Sequence, residues 1–307
     1  MMSPATPLVS VVVPTFNRPG LVGRAIASAL AQTVSDIEVI VVDDAPSEET
    51  RAAVGRFADA RVRYLAHERN RGPSASRNTG IAAARGRLIA FLDDDDEWLP
   101  TKIEKQLAYL ERERLDAAAG IGLIDGKVPL RYRGARVTLE ELRRGNRWGS
   151  CTFIGRAEAV RDVLFDEELT VGEDWDFYIR FARKYTIGCL LEPLFIYHQA
   201  GTDAAPNRLL RGAQAMSPTE LEERIGVLRK HREFFGEWWY RFHFATALLS
   251  HIGSRPDRGR YLQHAIRRCG LMPVAAVMWD KVSWRLHAQR ARSARGQRKD
   301  RLARTQG

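Results

Sequence analysis

An apolar run, Leu88-Ile89-Ala90-Phe91-Leu92, passes directly into four aspartates, Asp93-Asp94-Asp95-Asp96, and then into Glu97-Trp98-Leu99-Pro100. Adjacent carboxylates repel one another. A fold that sets them at the end of a buried strand must gather something cationic there, and a hard divalent metal ion is one such group. A solvated acidic turn capping a helix that starts near Pro100 is the other reading, because anions favour a helix N-terminus.

The first hundred residues alternate short apolar, β-branched runs with amphipathic stretches. Leu8 to Thr15, Ile37 to Val42, Val62 to Leu65 and Leu88 to Leu92 read as strands; Leu21 to Ala31, Glu48 to Phe57 and Pro73 to Ala84 read as helices. The strand runs are continuously apolar rather than alternating, the pattern of strands covered on both faces. They predict βαβ units and a parallel sheet with right-handed crossovers. Ligands of such sheets bind beyond the carboxyl ends of the strands. Three strands end in polar or acidic residues, Pro14-Thr15-Phe16-Asn17, Asp43-Asp44 and Asp93 to Asp96, which converge on one rim in this reading.

A helix is expected over Pro100 to Arg114, and Asp116 to Gly149 shows no readable element. Cys151 to Gly155 reads as a strand, Glu158 to Leu164 as a helix, and Gly172 to Phe181 as a helix opened by acids with Trp175, Ile179 and Tyr178 on its apolar face. Cys189 to Tyr197 reads as a strand ending at His198. Beyond Thr202 the patterns are helical: Glu220 to Phe235, Glu237 to Ser250 and Arg258 to Arg268. With 307 residues, 45% of them hydrophobic, the chain can bury a full α/β core beside a smaller region.

No apolar window reaches the ~18 residues of a membrane span, and the N-terminus lacks a signal-peptide pattern, so a cytoplasmic location is expected. Cys151, Cys189 and Cys269 form neither a disulfide framework nor a CxxC pattern and read as buried small hydrophobes. The formal charge is +10, but Trp284 to Gly307 alone carries eight Arg or Lys against one acid, Asp300. The body is nearly neutral, so no nucleic-acid partner is expected; a basic tail is either a solvated end or a peripheral contact with anionic lipid.

In this order the pieces resemble the family 2 glycosyltransferases of the GT-A fold, inverting enzymes that use a nucleotide-diphospho-sugar. Val9 to Arg18 resembles the family's first strand, Ala29 to Thr33 its first helix, and Glu38 to Asp44 its second strand with paired acids. Asn70 to Gly80 is similar to its glycine-containing turn and ArgAsn pair, Asp93 to Pro100 to its DxD signature, and Gly172 to Trp175 to its EDW segment. The resemblance covers residues 8 to 200. It implies an α/β fold with a Rossmann-like, mostly parallel sheet flanked by helices, and a helical C-terminal extension. The expected divisions are a catalytic domain over 1–205, a helical region over 206–283 and a basic tail over 284–307.

The resemblance also implies roles. Pro14, Phe16 and Asn17 fall where the family holds the nucleotide, with Asp44 accepting a hydrogen bond from the base, which for uracil is its N3–H. Arg71 and Arg77 fall near the diphosphate. Asp93 and Asp94 approach the nucleotide, and Asp95 with Asp93 the Mg²⁺ or Mn²⁺ ion, although Asp94-Asp95-Asp96 can also be read as DxD. His198 is a further candidate metal or phosphate contact. Asp174 matches the catalytic base, with Glu173 and Trp175 beside it for a saccharide or lipid-linked acceptor. The implied setting is cell-surface polysaccharide or glycolipid synthesis. A pyrophosphorylase or a nicotinamide dehydrogenase needs glycines after the first strand, and Pro14 to Arg18 has none. A non-catalytic nucleotide-sugar-binding protein on the same fold and a membrane-surface binding module are the alternatives.

Overall fold

Val9-Ser10-Val11-Val12-Val13-Pro14-Thr15 forms strand β1, buried at every position except Pro14, which is half-buried. Its stiff β-branched side chains suit a pleated strand packed on both faces. The computed structural model describes residues 6–124, 126–128, 134–198, 216–250, 252–255 and 257–280. The chain divides into two compact units, Met1–Arg211 and Gly212–Gly307. The expected boundary near residue 205 and the basic tail both lie outside the described residues.

In the first unit β1 is followed by α1 (Pro19–Leu30), β2 (Ile37–Asp43), α2 (Glu48–Gly55), β3 (Val62–Ala66), α3 (Pro73–Ala83) and β4 (Leu88–Phe91). β1 pairs in parallel with β2 and β4, and β2 with β3. β2 is buried at all its positions, as a strand covered on both faces must be. α3 packs so closely on β1 that a Cβ added at Gly80 would sit 2.3 Å from Val12 Cγ1.

The chain continues through β5 (Glu97–Trp98), α4 (Lys102–Glu113), β6 (Ala117–Ile124), α5 (Leu139–Arg144), a 3-10 turn at Ser150–Thr152, β7 (Ile154–Arg156), α6 (Ala157–Val163), α7 (Glu173–Ala182) and β8 (Ile187–Tyr197). Eight strands form one sheet in the order β3-β2-β1-β4-β7-β6-β8-β5, with β7 and β5 antiparallel to the rest.

Two expectations need correction here. The stretch after residue 116, unreadable in the sequence, contains the interior strand β6. The expected strand over Cys151 to Gly155 is instead a turn, followed by three residues of β7. β6 escapes a propensity reading because it is Ala117-Ala118-Ala119-Gly120-Ile121-Gly122-Leu123-Ile124, poor in β-branched residues. Its small residues answer a packing need: a Cβ at Gly120 would stand 2.4 Å from Leu194 Cδ1, and one at Gly122 2.4 Å from Phe195 Cζ.

α7 buries Phe177, Tyr178, Ile179 and Phe181, whereas Trp175 is only half-buried. Phe177 stacks on Phe165 at 4.4 Å between ring centroids, and Phe165 meets Phe91 of β4 edge-on at 5.1 Å. These aromatic contacts fix α7 against the strand that carries the aspartates.

The second unit holds α8 (Pro218–Arg224), α9 (Gly226–Lys230), α10 (Arg232–Leu248) and α11 (Arg258–Cys269), and residues 271–280 are also helical. Ser217 and Glu220 form a capping box at the start of α8. α10 is kinked at Gly236, whose φ of 68° only glycine adopts without strain. No strand occurs among the described residues of this unit, as its helical periodicity implies, and no helix among the described residues of the chain is long and apolar enough to cross a membrane.

Candidate active site

The carboxyl ends of β1, β2 and β4 meet on one rim. Asp44 N–H donates to Thr15 O at 2.9 Å, and Thr15 Oγ1 donates to Asp94 Oδ2 at 2.8 Å. Arg18, just past β1, donates from Nη1 to Asp94 Oδ1 and to Asp95 Oδ2, each at 2.9 Å. Arg24 Nη2 donates to the Asp95 carbonyl at 2.8 Å. Part of the cationic charge that the aspartate run demands is therefore supplied by Arg18. Burial, opposed by the Arg18 charge, still pushes the Asp94 carboxyl up to about 6.

Asp93 turns the other way. Its Oδ1 accepts from Arg77 Nη2 at 2.9 Å and from Ser150 Oγ at 3.4 Å. Arg77 is almost fully buried on α3 and donates from Nη1 to Glu173 Oε1 at 3.2 Å, so one guanidinium joins the aspartate run to the first turn of α7. Burial disfavours the Arg77 charge, but Asp93 and Glu173 outweigh it and raise its pKa above the ordinary value.

Asp174 follows Glu173 on α7, a helix whose N-cap is Gly172 at φ 80°. Its Oδ1 accepts from Trp175 N–H at 2.7 Å. Burial, then the neighbouring Glu173 charge, pushes the Asp174 carboxyl up to about 7. Trp175 is held by its indole N–H, which donates to Leu142 O of α5 at 2.9 Å.

Arg77, Asp93, Glu173 and Asp174 line one cavity of about 290 Å³, walled by Gly149 to Cys151, by Gly122 and Ile124 of β6, and by Phe195 and Tyr197 of β8. Beside it, Asp93, Asp96 and Cys151 bring one ligand atom each within 4.8 Å of one another. Asp96 is completely buried, no hydrogen bond of ordinary geometry reaches its carboxylate, and only the Cys151 thiol and the His198 backbone N–H stand near enough to favour its ionised form. Burial, then the charges of Asp93 and Asp95, pushes its carboxyl up to about 8. A buried, poorly satisfied carboxylate facing a second carboxylate is an arrangement that a cation relieves, so these residues fit a divalent ion. The thiol widens the fit toward ions softer than Mg²⁺.

Of the expected metal ligands, then, only Asp93 belongs to this cluster. Asp95 is engaged by Arg18, and His198 Nε2 lies 3.2 Å from Glu97 Oε2, outside the group. Asp96 enters the sequence reading only as the end of the alternative Asp94-Asp95-Asp96 DxD, and Cys151 not at all as a ligand, because it comes from a distant turn and no spacing in the sequence ties it to the aspartates.

The expected nucleotide residues lie along the rim, and of them Arg77 and Asp93 line the cavity. Pro14 and Phe16 are half-buried at the mouth of β1, and Asn17 is exposed with φ 52°. Asp44 is buried, and its carboxylate is already occupied: Oδ1 accepts from Arg71 N–H at 2.8 Å and lies 2.7 Å from His67 Nδ1, while Oδ2 accepts from Gly72 N–H at 2.8 Å. It clamps the turn that starts α3. The Arg71 side chain pairs with Glu167 at the surface, 3.1 Å away, and lies outside the cavity lining.

Residues 10–168, just over half of the chain, match the family model described as glycosyl transferase family 2. The chain belongs to glycosyl transferase family 2. It is 37% identical over 219 residues to the succinoglycan biosynthesis protein ExoO of Rhizobium meliloti, which covers 62% of this chain and 61% of that protein. It is 37% identical over 113 residues to WfgD of Escherichia coli, a UDP-Glc:alpha-D-GlcNAc-diphosphoundecaprenol beta-1,3-glucosyltransferase; the match covers 37% of this chain and 45% of WfgD. The chain thus spans less than two thirds of either relative.

Among solved structures it resembles S. aureus TarS 1–349 in complex with UDP-GlcNAc, with a TM-score of 0.57 and 21% identity over 85% of this chain and 71% of that one. It also resembles the mannosyltransferase PcManGT from Pyrobaculum calidifontis in complex with GDP-Man and Mn²⁺, with a TM-score of 0.54 and 19% identity over 91% and 81%. At this identity the likeness is one of fold, and the fold is the GT-A architecture that the sequence implies.

Proposed function

We propose that this chain is a metal-dependent, inverting glycosyltransferase. It moves a sugar from a nucleotide-diphospho-sugar, with uridine as the favoured carrier, to a hydroxyl of a saccharide or lipid-linked acceptor. The observation that carries this reading is Asp174, which shares a cavity with Asp93 and Arg77 and whose carboxyl is lifted to about 7. A base poised near the working pH takes a proton with the greatest effect.

In this reading Asp174 accepts the proton of the acceptor hydroxyl as that oxygen attacks the anomeric carbon from the side opposite the departing diphosphate. Glu173, held by Arg77, and Trp175, held by α5, orient the acceptor. Pro14, Phe16 and Asn17 form the mouth over which the base lies, and Asp44 shapes the turn that carries Arg71 and Arg77. Asp93 and Asp96, with Cys151 beside them, would hold Mg²⁺ or Mn²⁺, which when bound stabilises the charge on the departing nucleoside diphosphate.

The printed names of the relatives, one for succinoglycan biosynthesis and one for a diphosphoundecaprenol-linked substrate, support a setting in cell-surface polysaccharide or glycolipid assembly. A lipid-linked acceptor favours a cytoplasmic enzyme peripheral to the membrane, with the basic tail drawn to anionic headgroups. The test is Asp174→Asn assayed with a panel of sugar nucleotides. Turnover falls roughly 10²–10⁴-fold with donor affinity little changed, because the base acts in the transition state and not in holding the donor. Wild-type turnover in the variant would remove the catalytic role from this residue.

A further inference from the structure

Leu271-Met272-Pro273-Val274-Ala275-Ala276-Val277-Met278-Trp279-Asp280 is helical and carries one charge, at its last position. It starts cleanly: Gly270, at φ 85°, ends α11, and Pro273 sits in the first turn, where its missing N–H costs nothing. Pro273, Val274 and Val277 are buried and form the inner face. A helix on a soluble protein then turns polar residues outward. This one does not. Leu271 is 68% exposed, Met272 73%, Met278 37% and Trp279 71%. Spacings of one, seven and eight residues place these four on one side of the helix. Leu262 and Ile266, a turn apart on α11, are exposed as well.

An apolar outer face needs something to cover it, and the surrounding charge decides what. Arg260 and Arg267 are exposed on α11. Beyond the helix the sequence adds nine Arg or Lys between Lys281 and Arg304 against Asp300, together with Trp284. Two copies of so basic a region repel each other, and an ordinary apolar protein partner leaves the arginines unused. Apolar side chains edged by cations and tryptophan are what the interface of an anionic bilayer selects. We propose that the helix over residues 271–280 docks on an anionic membrane, its outer face entering the headgroup boundary. This deepens the peripheral attachment proposed above by giving it an apolar anchor besides attraction of charge.

Salt separates the two contributions, because it screens attraction between exposed charges and leaves apolar burial in place. The full chain is sedimented with vesicles of phosphatidylcholine alone and of phosphatidylcholine with a quarter phosphatidylglycerol, at about 0.1 M and about 0.5 M salt. The variants are Leu271→Glu/Met272→Glu/Trp279→Glu, the single Trp279→Ser, and a tail with its eight Arg and Lys changed to Gln. The wild type is expected on the anionic vesicles, with a fraction kept at high salt. The triple variant loses roughly a hundredfold in partitioning, Trp279→Ser about tenfold, and the tail variant weakens mainly at low salt. Circular dichroism and donor hydrolysis unchanged in the variants show that they are folded. Wild-type sedimentation of the triple variant overturns the anchor and leaves the tail reading intact if the tail variant alone fails to bind. No sedimentation of the wild type overturns both. A wild-type dimer that the triple variant converts to monomer, seen by light scattering, would make the face a self-interface and overturn the proposal.

Discussion

Asp174→Asn should move activity and stability in opposite directions, and the size of the second effect follows from the site. The Asp174 carboxyl rises from 3.8 to about 7 on folding. That rise corresponds to at most about 4 kcal/mol, and relaxation around the charge reduces the measurable part to about 1–2 kcal/mol. The sign is fixed by proton counting. Between pH 4 and 7 the folded chain keeps a proton on Asp174 that the unfolded chain has lost, so this group lowers stability as pH rises through that window, and the whole penalty is present above about 7. Asparagine carries no such penalty and still offers Oδ1 to the Trp175 N–H. Urea titrations of wild type and variant in chelator should therefore coincide near pH 4 and separate by about 1–2 kcal/mol in favour of the variant at pH 8. Over the same interval wild-type turnover should climb to a plateau with an apparent pKa of about 7, the ionised base being the active form. A variant less stable than wild type by a constant ~1 kcal/mol at every pH would identify Asp174 as a helix-capping residue and refute the reasoning.

Other perturbations reach other parts of the site. Asp96→Asn should abolish most of the extra thermal stabilisation that UDP gains from Mn²⁺ over chelator, while Asp95→Asn should keep it; the reverse ranking would return the ion to Asp95. Asp44→Asn replaces an acceptor oxygen with a donor in the clamp on Arg71, Gly72 and His67, and should cost about 1–3 kcal/mol in urea denaturation. A drop in nucleotide affinity at unchanged stability would instead make Asp44 a ligand of the base. Gly80→Ala drives a methyl group into Val12 and should cost about 1–3 kcal/mol, read as a lower thermal midpoint; an unchanged midpoint would mean that α3 shifts freely.

The sheet from β1 to β4 was legible because Val, Ile and Leu dominate strands buried on both faces, and that composition has few other outlets. β6 was not, because its neighbours Leu194 and Phe195 fill the space that side chains at Gly120 and Gly122 would occupy. Choice of residue there follows contacts nearly 75 positions away, which no local pattern records. In the site, motif order groups Asp93, Arg77, Glu173 and Asp174, and the four line one cavity. Which aspartate faces which cation could not be read the same way, because Arg18 takes up Asp94 and Asp95 and leaves Asp96 to the interior. Asp44 is expected from the family resemblance to accept from the nucleotide base, and in the fold its carboxylate holds the turn before α3. Besides the His67 ring its partners are the backbone amides of Arg71 and Gly72, and amides leave no trace in residue identity.

Gly122 lies on the cavity wall next to Phe195 and Ile124, and none of the three carries charge. A methyl group there presses on the Phe195 ring, and that ring borders the same cavity. The width of the cleft is thus set in part by a position on β6 whose nearest side-chain neighbour is Phe195. If the cavity takes the acceptor as proposed, its fit is set partly from β6, apart from the carboxylates assigned to the chemistry.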